Sequence, residues 1–168
     1  MGNKTDGNLQ EAFAGESQAN RKYLFFAEKA DKEGYPQVAR LFRAAADAET
    51  VHAKNHLNVL NGVGSTEENL IAAAEGEHHE FTAMYPPFIE EAEKEGNTKA
   101  KRTFDYANAV EEVHHGLFQE ALKAVKEGAE MKEEPYYVCP VCGYTASGEA
   151  PEKCPVCGAP AKSFKKID

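Results

Sequence analysis

The chain contains an internal repeat, and this repeat limits the folds open to it. The segment EKADKEGYPQVARLFRAAADAETVH, residues 28–52, aligns without a gap on EEAEKEGNTKAKRTFDYANAVEEVH, residues 90–114, and eleven positions are identical. Both copies end in Glu-x-x-His, as Glu49 with His52 and as Glu111 with His114. Residues three apart share one face of a helix. The repeat therefore predicts two similar helical hairpins that present the same pair of side chains.

Helix start and stop signals divide the chain before Pro135 into four long helices. Pro36 suits a first helical turn, and Ser65 with Glu68 forms the pattern of a capping box. Pro86 and Pro87 interrupt the third helix, so we expect a kink or local irregularity there. Because the connections are short, we predict an all-α fold, an antiparallel four-helix bundle. The predicted helices cover residues 6–33, 36–61, 65–95 and 98–127.

Each predicted helix carries at least one acidic residue on its apolar face, near its middle. Unpaired carboxylates in a bundle core would cost several kcal/mol each, whereas two divalent metal ions would neutralise most of their charge. Carboxylate oxygens with one imidazole per metal favour iron or manganese, as in di-metal carboxylate bundles. A solvated glutamate beside a half-buried histidine is the alternative interpretation of either motif alone. The candidate ligands are Glu16, Glu49, His52, Glu77, Glu80, Glu111 and His114.

The C-terminal segment contains all four cysteines, in two Cys-x-x-Cys-Gly motifs whose cysteine pairs are separated by eleven residues. Four thiolates make a tetrahedral site for zinc or iron, and the spacing does not choose between the two metals. Disulfide pairing is the alternative. A polar stretch ending at Pro135 links this segment to the helices, so we predict domains at residues 1–134 and 135–168. The ligands would be Cys139, Cys142, Cys154 and Cys157.

Composition argues against several classes of partner. Charged residues make up 28% of the chain and its net charge is −9, so nucleic acid and anionic membranes are poor partners. No run of eighteen apolar residues appears. The start MGNKTDGNLQ has no basic-then-apolar signal, and we therefore expect a cytoplasmic protein.

The ordered combination of both metal motifs resembles the rubrerythrin family. The resemblance rests on Glu16, on the two Glu-x-x-His motifs, on Glu77 and Glu80 before MYPPF, and on CPVCG repeated near the end. It covers nearly the whole chain and implies a ferritin-like bundle with a non-haem di-iron centre. It also implies a rubredoxin-like domain with one iron on the four cysteines, hence three irons per chain.

The resemblance further implies a role for each ligand. Glu49 and Glu111 would bridge the two irons, while Glu77 and His114 would bind the second. Glu16 would bind the first iron, whose shell is completed by His52 in the reduced state or by Glu80 in the oxidised state. Two tyrosines would lie beside the centre, Tyr23 and Tyr85.

The implied reaction is reduction of hydrogen peroxide to water in oxidative-stress protection. Its electrons would come from an NADH- or NADPH-dependent reductase, directly or through rubredoxin. The segment from His114 to the end of its helix spans about 20 Å, and the linker adds distance. We therefore expect a head-to-tail homodimer in which electrons pass between chains. The alternatives are an iron-storage or ferroxidase protein of the ferritin-like superfamily and a zinc-ribbon binding module on an inert helical stalk.

Overall fold

A computed structural model describes residues 3–168 and groups them in two compact units. One unit ends at Gly64, and the other is Ser65–Asp168. The first is a helical hairpin of α1, Lys4–Lys32, and α2, Pro36–Val59. Gly34 turns the chain between them with a φ of 82°, a conformation that glycine adopts without strain. The predicted first two helices are therefore confirmed, with ends within two residues of those expected.

Small side chains let the two helices of this hairpin lie close together. Ala27, Ala30 and Ala39 are buried, and Phe42 packs against them. Asn20 is buried as well, and its Nδ2 donates hydrogen bonds to the carbonyl of Ala46 at 2.7 Å and to another α2 residue. A buried amide without such partners would be destabilising, so this bond selects the pairing of α1 with α2.

The second unit begins with a helix that changes its winding before the two prolines. The capping box of Ser65 and Glu68 is present. α3, Thr66–His79, passes into a π-helical turn, Glu80–Met84, and continues as α4, Tyr85–Lys94. Prolines have no N–H to donate to the preceding turn, which favours a local change in winding. The predicted irregularity near Pro86 and Pro87 is confirmed.

The π-helical turn also explains a mismatch in the repeat. The amide of Tyr85 donates to the carbonyl of Glu80, five residues back, so the turn takes in one residue more than an α-helical turn. In the alignment that pairs Tyr23 with Tyr85, Glu77 falls one residue before the position that corresponds to Glu16. The extra residue lies between the glutamate and the tyrosine of the second copy. Both can thus keep the same face of their helix as in the first copy.

The remaining helix, α5, runs Thr98–Glu127 and ends at Gly128, which has a φ of 63°. A small antiparallel sheet follows, with β1, Tyr136–Val138, at its centre. β2, Thr145–Ser147, and β3, Lys165–Ile167, pair with its two edges. The predicted architecture is confirmed: four long helices, the third interrupted, and a small C-terminal domain with four cysteines.

The compact units divide the chain differently from the predicted domains. The boundary after Gly64 separates the two hairpins, and the cysteine domain belongs to the same unit as α3, α4 and α5. The domain boundary at residue 134 stays a prediction, and it lies where the helices give way to a short sheet. Within residues 3–168, no helix is long and apolar enough to cross a membrane.

Candidate metal centres

The first hairpin brings Glu16, Glu49 and His52 together. Nδ1 of His52 lies 2.8 Å from Oε2 of Glu49 and 3.8 Å from Oε1 of Glu16. One ligand atom from each of the three residues lies within 4.8 Å of the other two. α1 supplies one carboxylate, and the Glu-x-x-His spacing of α2 supplies the other carboxylate and the imidazole. We call this group the first triad.

The second unit contains a matching group, Glu77, Glu111 and His114, which we call the second triad. Nδ1 of His114 lies 2.8 Å from Oε2 of Glu111 and 3.8 Å from Oε1 of Glu77, the same two distances as in the first triad. α3 supplies Glu77, and α5 supplies the other two residues. The geometry of the ligands therefore follows the repeat in the sequence.

The second triad concentrates acidic groups in a half-buried place. Burial, followed by the negative charge of Glu111, raises the pKa of Glu77 from 4.5 to about 7. Burial and the same Glu111 charge also raise the pKa of Glu80. Carboxyl groups that resist ionisation in this way indicate a site where a positive charge would be stabilising. The donor set of two carboxylates and one imidazole in each triad fits a hard divalent cation such as iron.

Glu80 lies at the edge of the second triad, outside the group of three. Its charge raises the pKa values of Glu77 and of Tyr85. When Glu77 is aligned with Glu16, the residue of α1 that corresponds to Glu80 is Ala19. Glu80 therefore has no acidic counterpart in the first copy of the repeat. It begins the π-helical turn, so the extra carboxylate and the extra residue occur together.

The two predicted tyrosines have matching ring contacts, and Tyr85 also lies in the field of the acidic groups around the second triad. Burial and the charges of the nearby carboxylates, Glu80 foremost, raise the pKa of Tyr85, which places its hydroxyl in the field of the second triad. The ring of Tyr23 packs against Phe26 and Phe42, at centroid distances of 6.3 and 6.2 Å. The ring of Tyr85 makes the corresponding contacts with Phe88 and Phe104, so both tyrosines pack among aromatic rings, and their place beside the di-iron centre stays a prediction.

The four cysteines form a second kind of site. Their sulfur atoms gather within 4.8 Å, with Sγ–Sγ distances of 3.5 Å between Cys139 and Cys157 and 3.4 Å between Cys142 and Cys154. These distances rule out disulfides, whose sulfurs are about 2.05 Å apart. They approach the edge of about 3.8 Å of a tetrahedron with metal–sulfur bonds of about 2.3 Å. The predicted cysteine cluster is therefore present, and it fits one tetrahedral metal ion.

Two turns of the same form hold these cysteines. The amide of Gly143 donates to the carbonyl of Cys139, and that of Gly158 donates to Cys154, both at 2.9 Å. Both glycines have positive φ, 86° and 79°. Burial opposes a charge on Cys154, but the N–H groups of Cys157 and Val156 donate to its sulfur and lower its pKa to about 7. Backbone donors thus stabilise thiolate character at Cys154, which a metal site requires, whereas burial raises the pKa of Cys142 and Cys157.

The cysteine domain contacts the second triad directly. Nε2 of His114 lies 2.9 Å from Oγ1 of Thr145 on β2, and a β-carbon at Gly143 would lie 3.8 Å from Val110 of α5. The expectation that the linker would add distance between the cysteines and His114 is wrong, because the linker leads the sheet back along α5. The reason given for electron transfer between chains therefore no longer holds, while the homodimer itself stays a prediction.

Sequence reasoning missed Thr145. It lies in a three-residue strand, and no motif distinguishes it from a threonine chosen for strand propensity. Only the path of the linker brings it to His114, and that path has no simple signal in the sequence. His115, which follows a ligand, bonds through Nδ1 to the carbonyl of Ala74 at 2.8 Å and connects α5 to α3.

Comparison with known proteins gives matches over nearly the whole chain. The family model described as rubrerythrin matches residues 7–122, and the model of its rubredoxin-like domain matches residues 137–165. Rubrerythrin-2 of Clostridium acetobutylicum is 40% identical, with coverage of 94% of this chain and 93% of the relative. Rubrerythrin of Porphyromonas gingivalis is 41% identical, with coverage of 99% and 91%. The solved structure of fully reduced, all-ferrous nigerythrin is 36% identical, with a TM-score of 0.58 and coverage of 99% and 88%.

Proposed function

This chain belongs to the rubrerythrin family, and on that premise we propose that it reduces hydrogen peroxide to water with electrons relayed through its cysteine-bound iron. It is a di-iron oxidoreductase of the rubrerythrin type, with a four-cysteine rubredoxin-like domain. The overall change consumes one peroxide, two electrons and two protons and yields two waters. Its role would be protection against oxidative stress.

One observation supports the relay most strongly. Within the unit Ser65–Asp168, a residue of the cysteine domain hydrogen-bonds to a histidine of the second triad. A metal ion held by four cysteines has no open position for a substrate, so it suits electron transfer. The triads offer carboxylates and single imidazoles, which leave positions for a small oxidant. Contact between the four-cysteine site and a carboxylate–histidine triad favours a protein that moves electrons from the first site to the second.

We assign all seven oxygen and nitrogen ligands to one di-iron centre. Glu49 and Glu111 would serve both irons, as the resemblance to the rubrerythrin family implies. Bound iron would supply Lewis acidity and the two electrons that the reduction of peroxide needs. By the same resemblance, Glu77 and His114 would hold one iron, and Glu16 with either His52 or Glu80 would hold the other.

Tyr85 would act as a proton-bearing neighbour of this centre. Burial and the nearby carboxylates raise the pKa of Tyr85, so its hydroxyl keeps its proton at neutral pH. A neutral phenol can donate a hydrogen bond to a carboxylate and so hold it in place. Tyr23 occupies the matching position on α1 and would serve the first triad in the same way.

The electron donor would be an NADH- or NADPH-dependent reductase, acting directly or through rubredoxin. One cysteine-bound iron passes one electron at a time, so the donor must reduce it twice in each cycle. We place the reaction in the cytoplasm, because four free cysteines that bind a metal persist in a reducing compartment.

Anaerobic stopped-flow experiments on the fully reduced protein would test this function. Peroxide should oxidise the cysteine-bound iron rapidly, whereas Glu111→Ala should abolish that oxidation. Cys142→Ser should leave a di-iron centre that reacts once but does not turn over with a donor. Glu112→Ala, on the exposed side of the same helix, is the matched control and should behave like the wild type. Preferential reaction with dioxygen, followed by accumulation of ferric mineral, would instead support iron storage.

A further inference from the structure

The hydroxyl of Thr145 forms hydrogen bonds that orient the imidazole ring of His114. The hydroxyl of Thr145 donates to the carbonyl of Gly143 at 3.2 Å. A hydroxyl has one hydrogen, so while it donates to Gly143 its Oγ1 is left as an acceptor for Nε2 of His114, 2.9 Å away. When a metal ion takes the lone pair of Nδ1, which faces Glu111 and Glu77, the ring hydrogen of His114 lies on Nε2 and Thr145 can accept it.

We propose that Thr145 is a positioning residue that holds His114 in the tautomer whose Nδ1 binds iron and that couples the cysteine site to the di-iron centre. A neutral imidazole binds a metal through one nitrogen, and the group bonded to the other nitrogen selects which one. In this chain the selecting group is a side chain of the cysteine domain. The two metal sites thus share a hydrogen bond across the interface of β2 and α5.

The bonds on the cysteine side make this connection short. The N–H of Tyr144 donates to the sulfur of Cys142, and Thr145 is the next residue. The route from sulfur to imidazole therefore runs through two hydrogen bonds, with a short stretch of backbone and the hydroxyl of Thr145 between them. The carbonyl of Gly143 holds that hydroxyl in position from the same turn.

The first triad provides a natural comparison inside the chain. His52 has the same two carboxylate distances at Nδ1, but its side chain is 53% exposed, against 27% for His114. The coupling role therefore belongs to the second triad. A change at Thr145 should alter the signals of His114 and leave those of His52 as they are.

Three variants separate this role from strand packing. Thr145→Val keeps the branched shape that pairs with Val138 but removes the hydroxyl. Thr145→Ser keeps the hydroxyl. Thr103→Val is the matched control, because Thr103 is exposed and bonds only to the carbonyl of Ala100 in its own helix.

The first readout does not depend on activity. In the protein loaded with zinc, which is diamagnetic, nitrogen-15 NMR should show a protected Nε2 hydrogen on His114 in the wild type, in Thr145→Ser and in Thr103→Val. Thr145→Val should lose that protection, with His52 unchanged. The same ring signals in Thr145→Val as in the wild type would overturn the assignment of the tautomer to Thr145.

The coupling part rests on the proposed function and needs a second readout. After peroxide is mixed with the reduced iron protein, oxidation of the cysteine-bound iron should be about tenfold or more slower in Thr145→Val, within the range for residues that orient metal ligands. Thr145→Ser should restore the rate. An unchanged rate in Thr145→Val would overturn the coupling, whereas a wild type that ignores peroxide would overturn the proposed function and leave the NMR result standing.

Discussion

Replacing Glu77 by glutamine should stabilise the metal-free protein while weakening its response to metal. Glu77 is half-buried beside Glu111, and partial burial together with that charge raises its pKa from 4.5 to about 7. Protonated Glu77 donates a hydrogen bond to Glu111, and the amide of a glutamine can donate in the same way. Glu77→Gln therefore removes a charge that the folded, metal-free site resists and keeps the local bond.

The raised pKa of Glu77 gives both the size and the sign of the change in folding stability. A rise from 4.5 to about 7 corresponds to about 3 kcal/mol of folding free energy above pH 7. Water reaches the Glu77 side chain, which is 21% exposed, and screens part of this energy, so we expect about 1–2 kcal/mol. The folded pKa lies above the unfolded one. Ionisation of Glu77 therefore does not destabilise the wild type below pH 4.5. The destabilisation grows as the pH rises and is complete above pH 7.

Urea unfolding of the chelator-treated protein, followed by circular dichroism, would measure this difference. At pH 8 Glu77→Gln should be more stable than the wild type, and near pH 5 most of the gain should disappear. Excess ferrous iron without oxygen should then stabilise the wild type more than the variant. Glu75→Gln, an exposed neighbour on α3, should change stability by less than about 0.5 kcal/mol. Equal stability of Glu77→Gln and the wild type at pH 8 would refute the reasoning.

The contacts within each unit lead to three more predictions. A mixture of Cys142→Ser with Glu111→Ala should show no peroxidase activity beyond that of its parents, because the cysteine domain contacts the second triad of its own chain; recovered activity would mean transfer between chains. Gly143→Ala should destabilise the cysteine domain by about 1–2 kcal/mol, since its φ is 86°, and faster loss of metal to a chelator would reveal this. Asn20→Ala should destabilise the α1–α2 hairpin by about 1–2 kcal/mol in urea unfolding, because it removes a buried bond to Ala46; an unchanged midpoint would show that the bond contributes little.

The helices and the grouping of most candidate ligands could be predicted because they depend on local patterns. Capping residues, glycines and prolines mark the helix ends, and the Glu-x-x-His spacing places Glu49 with His52 on one face whatever the rest of the chain does. The Cys-x-x-Cys-Gly motifs likewise determine their own turns through the glycines with positive φ. Such features need no knowledge of distant contacts.

The register of the third helix and the place of Thr145 could not be predicted in the same way. The offset between Glu77 and Tyr85 depends on a π-helical turn, which directly precedes the two prolines in the helix. The contact of Thr145 with His114 joins residues far apart in the chain, and it depends on the path of a polar linker. Contacts at such separations follow from packing, and no local pattern reports them.

Counting the iron in each chain tests the central claim most directly. After anaerobic reconstitution the wild type should bind three irons, two on the triads and one on the four cysteines. Glu111→Ala should lose iron from the triads and keep the cysteine-bound iron, while Cys142→Ser should show the reverse. A wild type that binds a single metal ion, confined to its cysteines, would contradict the account.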